Sequence, residues 1–151
     1  MKSEVQRIAS LLKRSFEKNA WYGPSVKEVL EGITPEQACH RAANTHSIIE
    51  LVAHMTSWRE FVLSRINGPF DFTVTEENNF PKIDDWNAAL SNLEKSQHAL
   101  ITALESFTPE KLEELVPHGS HKYTYYTLLH GIIHHDIYHT GQISLLKKSL
   151  T

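Results

Sequence analysis

Apolar side chains in this chain recur at intervals of three and four along four long stretches, and no stretch of useful length alternates every second residue. A period near 3.6 lines such residues up along one stripe of a helix, and that stripe must be buried against other helices. Val5, Ile8, Leu12 and Phe16 form the stripe of a first helix over about residues 3–19, which Ser3 and Gln6 open as a capping box. Leu51, His54, Trp58 and Phe61 face inward on a second, running from Ser47 to Ile66 and stopped by Asn67-Gly68-Pro69. A third begins at Asp84 or Asp85 and carries Trp86, Leu90, Leu93, Gln97, Leu100, Leu104 and Phe107, with Gln97 its one polar member. The fourth, Thr124 to Leu150, carries Leu128, Ile132, His135, His139, Ile143 and Leu146.

Two short helical pieces are expected between these: Val26 to Leu30, capped by Ser25 and ended by Gly32 and Thr34-Pro35, and Thr108 to Leu115. Residues 68–83, with Pro69, Pro81 and the polar run Thr75 to Asn79, make the longest connection. The expected fold is all-α: a four-helix bundle with a long crossover between the second and third long helices and two short extra helices. At 151 residues it fits a single domain, 1–151.

Composition excludes several functions. The net charge of -3 leaves no basic surplus for phosphates, so no nucleic acid is expected as a partner. No run of eighteen apolar residues appears, so no membrane span is expected, and the first thirty residues lack the pattern of a signal peptide. The lone Cys39 cannot form an intramolecular disulfide and sits in a polar, Ala-rich stretch with no evident base beside it; a packed or idle thiol is the expectation. The setting expected is cytoplasmic.

Histidine is the unusual residue. Of ten, His130, His134, His135 and His139 fall within residues 130–139. His135 and His139 stand four apart, so their imidazoles share one helix face about 6 Å apart and can point at one ion. They also share the stripe of Leu128, Ile132, Ile143 and Leu146, where unpaired imidazoles carry a desolvation cost. His130 and His134 are spaced alike, but their face, through Ile137 and Gly141 to Leu145, lacks that sustained run. His54 supplies a third imidazole from another helix's inward stripe, and is favoured over His46, which lies near that helix's start and about 80° round it. Three imidazoles match a catalytic metal site with an open position. The competing reading is a set of core histidines satisfied by Gln97, Gln142 or a backbone carbonyl. His40, His98, His118 and His121 read as loop or surface residues.

The segment Leu129-His130-Gly131-Ile132-Ile133-His134-His135-Asp136-Ile137-Tyr138-His139-Thr140-Gly141-Gln142-Ile143 resembles the terminal motif of the DinB/YfiT-like proteins, and His46 through His54 to Glu60 resembles their second-helix motif. The resemblance spans essentially the whole chain. It implies a bundle with a crossover after the second helix and a divalent ion (nickel, zinc or iron) on His54, His135 and His139. Many relatives carry arginine after the last histidine, where this chain has Thr140, which puts in doubt any contact to an anionic substrate there. Some members resemble transferases that use the low-molecular-weight thiols bacillithiol or mycothiol as cosubstrate.

The expected function is therefore that of a metal-dependent enzyme acting on a small-molecule substrate, either thiol S-transferase-like or a hydrolase, the ion activating a thiolate or water. Tyr138, Gln142 and Glu50 flank the ligands and are candidates to orient an imidazole or the substrate. The alternative is a non-enzymatic metal-binding or stress-related bundle with a structural metal. A homodimer is left open.

Overall fold

The computed structural model describes residues 1–150, and these are all-helical, with no strand among them. The four long helices are α1 (Glu4–Phe16), α4 (Ile48–Asn67), α6 (Trp86–Glu105) and α7 (Tyr125–Ser149). Ser3, Ser47, Asp85 and Thr124 cap them, each side chain accepting from the third backbone N–H of its helix. The first helix ends at Phe16 rather than near residue 19, because Asn19 takes a positive φ of 64°.

The short elements are more numerous than expected. α2 (Val26–Leu30) forms as anticipated, but Thr34-Pro35, expected only to stop it, opens a further helix, α3 (Pro35–Cys39). Thr34 makes a capping box with Gln37, and proline fits the first helical position because its missing N–H would be an orphan there. The expected piece after Thr108 is a 3-10 turn, Pro109–Glu113. The connection 68–83 contains α5 (Glu76–Asn79), capped by Thr75.

Two apolar clusters occupy the two ends of the bundle. One holds Phe16, Val26, Val29, Ile48, Val52, Met55, Trp86, Leu93 and Ile143. The other holds Val5, Ile8, Leu12, Phe61, Val62, Leu100, Leu104, Leu129 and Ile133. Followed along the chain, α4 and α6 run from the first cluster to the second, whereas α1 and α7 run the opposite way. Because α4 and α6 point the same way, the chain between them must return the length of a 20-residue helix, about 30 Å. That return lays the crossover along α4.

Between the clusters lies a buried polar layer. Arg59 and Asp136, neither exposed at all, join in a two-pronged ion pair, Nη1 to Oδ1 at 2.6 Å and Nη2 to Oδ2 at 2.5 Å. Arg59 Nη2 also donates to Gln97 Oε1 at 3.4 Å, and Gln97 Nε2 donates to the Leu12 carbonyl at 3.3 Å. The guanidinium lies 5.1 Å from the centre of the Phe16 ring. One layer thus touches all four long helices. Burial pushes the Asp136 carboxyl upward, and the Arg59 charge and hydrogen bonds oppose it. Such a pair is costly to break but is not by itself a large source of stability; what it fixes is the register of α4 against α7.

Candidate metal centre

That register sets His54 of α4 opposite His135 and His139 of α7. The Nε2 atom of His135 lies 3.0 Å from Nε2 of His54 and 3.1 Å from Nε2 of His139. The three residues are the cluster among the described residues whose donor atoms, within 4.8 Å of one another, could hold a metal ion. All three rings are largely buried.

The far nitrogens decide what the near ones can do. His54 Nδ1 lies 2.7 Å from the main-chain oxygen of Asn79, and a carbonyl can only accept, so the proton is on Nδ1 and Nε2 presents a lone pair. His139 Nδ1 likewise donates to Gln142 Oε1 at 2.6 Å. His135 Nδ1 is buried without a partner among the described residues. A neutral His135 carries one proton. On Nε2 it can serve only one of two facing lone pairs; on Nδ1 it is unpaired, and three lone pairs converge. A cation satisfies all three. Nitrogens 2.0–2.1 Å from a tetrahedral ion stand about 3.4 Å apart, close to the separations seen.

Electrostatics agree. Burial lowers the pKa of His54, His139 and His135, the last to about 3, with the neighbouring histidines and Arg59 adding to the effect at His135. Neutral imidazole is the form that binds metal.

The surroundings hold the ligands in place. Phe80, on the crossover, stacks on His54 at 4.2 Å between ring centres, and His46 stacks on its other face at 3.8 Å. His46, the rival for the third ligand position, thus supports His54 through Phe80. Trp58 donates its indole N–H to Asn79 Oδ1, and Ser57 Oγ donates to the Asn78 carbonyl at 2.7 Å. Gln142, expected as an orienting group, holds His139. Tyr138 is exposed, with its ring edge-on to His139 at 5.0 Å. Glu50 is engaged elsewhere: its carboxylate accepts from the Ser47 backbone N–H at 2.7 Å and from Ser47 Oγ, and lies near Arg41 and His46. The place behind His54 belongs to Asn79. Thr140 is buried and donates to the Asp136 carbonyl.

A cavity of about 730 Å³ opens onto the three histidines. It is bounded by α4, the crossover, the first half of α7 and the turn at 118–121, so His118 and His121, read from sequence as loop or surface residues, line it. Their loop position was legible, but nothing local marked the loop as folding over α7. His134 is exposed, outside both the cluster and the cavity. Cys39 is exposed and does not line the cavity. Among the described residues, no helix is long and apolar enough to cross a membrane.

Comparison with known proteins agrees with this geometry. The family model described as the DinB superfamily matches residues 25–143, from the cap of α2 to beyond His139. No curated protein and no solved structure matches the chain. Matched over most of its length, with the three histidines inside the match, the chain belongs to the DinB superfamily.

Proposed function

We propose that the protein is a metal-dependent enzyme that transfers a low-molecular-weight thiol to an electrophilic small molecule in the cytoplasm. The observation that carries this reading is that three convergent imidazole nitrogens, with no fourth protein donor grouped with them among the described residues, stand at the wall of a large cavity. A structural ion is usually closed by four protein ligands, whereas three leave a position facing the substrate.

A divalent ion bound there would keep an incoming thiol deprotonated at neutral pH, supplying a nucleophile that the chain itself lacks. The residues of the chain do the rest. His54, His135 and His139 would hold the ion, and Asn79 and Gln142 fix two of the three rings through their Nδ1 protons. Trp58 and the crossover cover the site and exclude water from the back of His54. In the transfer the thiol proton goes to solvent, the sulfur forms a bond to the electrophilic carbon, and the leaving group departs with its bonding electron pair. Cys39 takes no part.

The test is elemental analysis of untagged protein followed by a conjugation screen, pairing a panel of cellular thiols with chlorodinitrobenzene. A metal-dependent rate that Cys39→Ser retains and His135→Ala loses is expected. No metal-dependent rate with any thiol, alongside metal-dependent cleavage of esters or amides, would replace transfer with hydrolysis. If neither appears and a cobalt-substituted sample shows no exchangeable ligand, the enzyme reading falls.

A further inference from the structure

The cavity carries information about what enters it. Its floor is one face of α7, running from His139 and His135 through Ile132 and Gly131 to Leu128 and Thr127. From residue 135 to 127 that face rises about 12 Å, enough for a bicyclic molecule lying along the helix. Trp58, Phe61 and Val62 of α4 face it.

Charge is nearly missing from these walls. Among the described residues lining the cavity, Arg65 is the one permanently charged side chain. It is 1% exposed; its guanidinium stacks 4.4 Å over the Phe61 ring and donates to the Phe70 carbonyl and to Ser64 Oγ, while its Nε has no partner among the described residues. Between Arg65 and any ion held by the three histidines, the walls offer an entering group no charge to pair with, which favours an apolar body there.

Gly131 is the second observation. Glycine in a helix interior is destabilising relative to alanine, so its presence there calls for a reason. Close packing is not the reason, since a Cβ at this position would meet nothing within 4 Å and no positive φ is required. The space a side chain would take is the cavity itself, one turn from His135. Gly141, further along the same helix, is equally unobstructed but does not line the cavity, which makes it a matched control.

We infer that the cavity binds the uncharged aromatic or bulky apolar body of the substrate along α7, with Gly131 setting the size it accepts. The inference deepens the proposed reaction by naming its substrate class, and it rests on the cavity being the reacting side of the three histidines.

β-Naphthol, an uncharged bicyclic molecule at neutral pH, is the probe. Binding is read by titration calorimetry and by the Trp58 indole N–H signal in a nitrogen-15 spectrum. Trp21 is fully exposed, and the Trp86 indole is bonded to Ile33 in the distant apolar cluster, so neither should respond. β-Naphthol is expected to bind saturably and shift Trp58. Gly131→Phe should lose β-naphthol while keeping wild-type helix and metal content, and Gly141→Ala should bind it normally. If Gly131→Phe does not fold, Gly131→Leu carries the same test. Absence of β-naphthol binding, or normal binding by the folded Gly131 variant, overturns the inference. These outcomes are separate from turnover: naphthol binding without any thiol transfer or hydrolysis removes the proposed reaction and leaves the cavity assignment standing, and turnover without naphthol binding does the reverse.

Discussion

His54 donates its Nδ1 proton to the main-chain oxygen of Asn79 over 2.7 Å, across 25 positions of sequence. The bond joins the middle of α4 to the end of α5, and it settles which nitrogen of His54 faces the other two histidines. It also gives the crossover a purpose beyond connection. The chain must return the length of the bundle between two helices pointing the same way, and in returning it supplies Asn79, Asn78 and Phe80 to the back of the site.

The ligand assignment predicts a sharp pattern of loss. His54→Ala, His135→Ala and His139→Ala should each lower bound metal severalfold or more, because each removes one of three donors. His134→Ala should leave metal content unchanged, since that side chain is exposed one residue from the cluster. Metal analysis of the four purified variants decides it. An empty site in His134→Ala with a full one in His135→Ala would reassign the face of α7 that holds the ion.

Arg59 and Asp136 form the polar layer that aligns the ligand helices, and they predict a non-additive result. Asp136→Ala leaves a buried, unpaired guanidinium and should cost about 3–5 kcal/mol. The double variant Arg59→Met with Asp136→Leu removes both charges together and should recover much of that loss. Denaturant melts of the single and double variants measure it. If the single variants cost as little as surface changes, the pair is not a structural lock.

What was legible in the sequence follows from where each signal is written. The four long helices and the convergence of His135 and His139 with His54 were readable because a stripe and an i, i+4 pair are local patterns. Arg59 was overlooked, although it stands four and seven residues from the buried Met55 and Val52, because its partner Asp136 lies 77 positions away. Asn79 acts through a carbonyl that every residue has, so its identity announces nothing. Glu50 sits one turn before His54, yet the cap at Ser47 claims its carboxylate. Thr34-Pro35 reads equally as a stop for one helix and a start for the next; the structure ends α2 at Leu30, before the positive φ of Gly32, and uses Thr34-Pro35 to open α3.

An ion bridging α4 and α7 binds only where both helices are in place, so its removal should lower thermal stability without dissolving the fold. A site filled at about a hundred times its dissociation constant contributes about 2.7 kcal/mol. For a chain of this size that corresponds to about 5–10 °C in melting temperature. The two apolar clusters remain, so the helical circular-dichroism signal should persist below the new transition. An unchanged melting curve after verified metal removal would contradict a cross-helix site, and complete unfolding would mean the ion is structural.

The metal-free protein should also weaken in acid, with the sign set by the histidines. Burial lowers the pKa of His135 to about 3, against an unfolded value near 6.5. Below about pH 6.5 the unfolded chain takes up a proton that folded His135 refuses, so the unfolded state binds more protons and stability falls as pH falls. The loss continues until His135 itself titrates near pH 3. Between pH 6.5 and 5 this one group costs up to about 2 kcal/mol, and His54 and His139, shifted the same way, add to it. Denaturant melts of chelated protein at several pH values check the slope, and His135→Leu, which has nothing to titrate, should flatten it. If the chelated wild type is as stable at pH 5 as at pH 7, the three rings are not buried as neutral imidazoles.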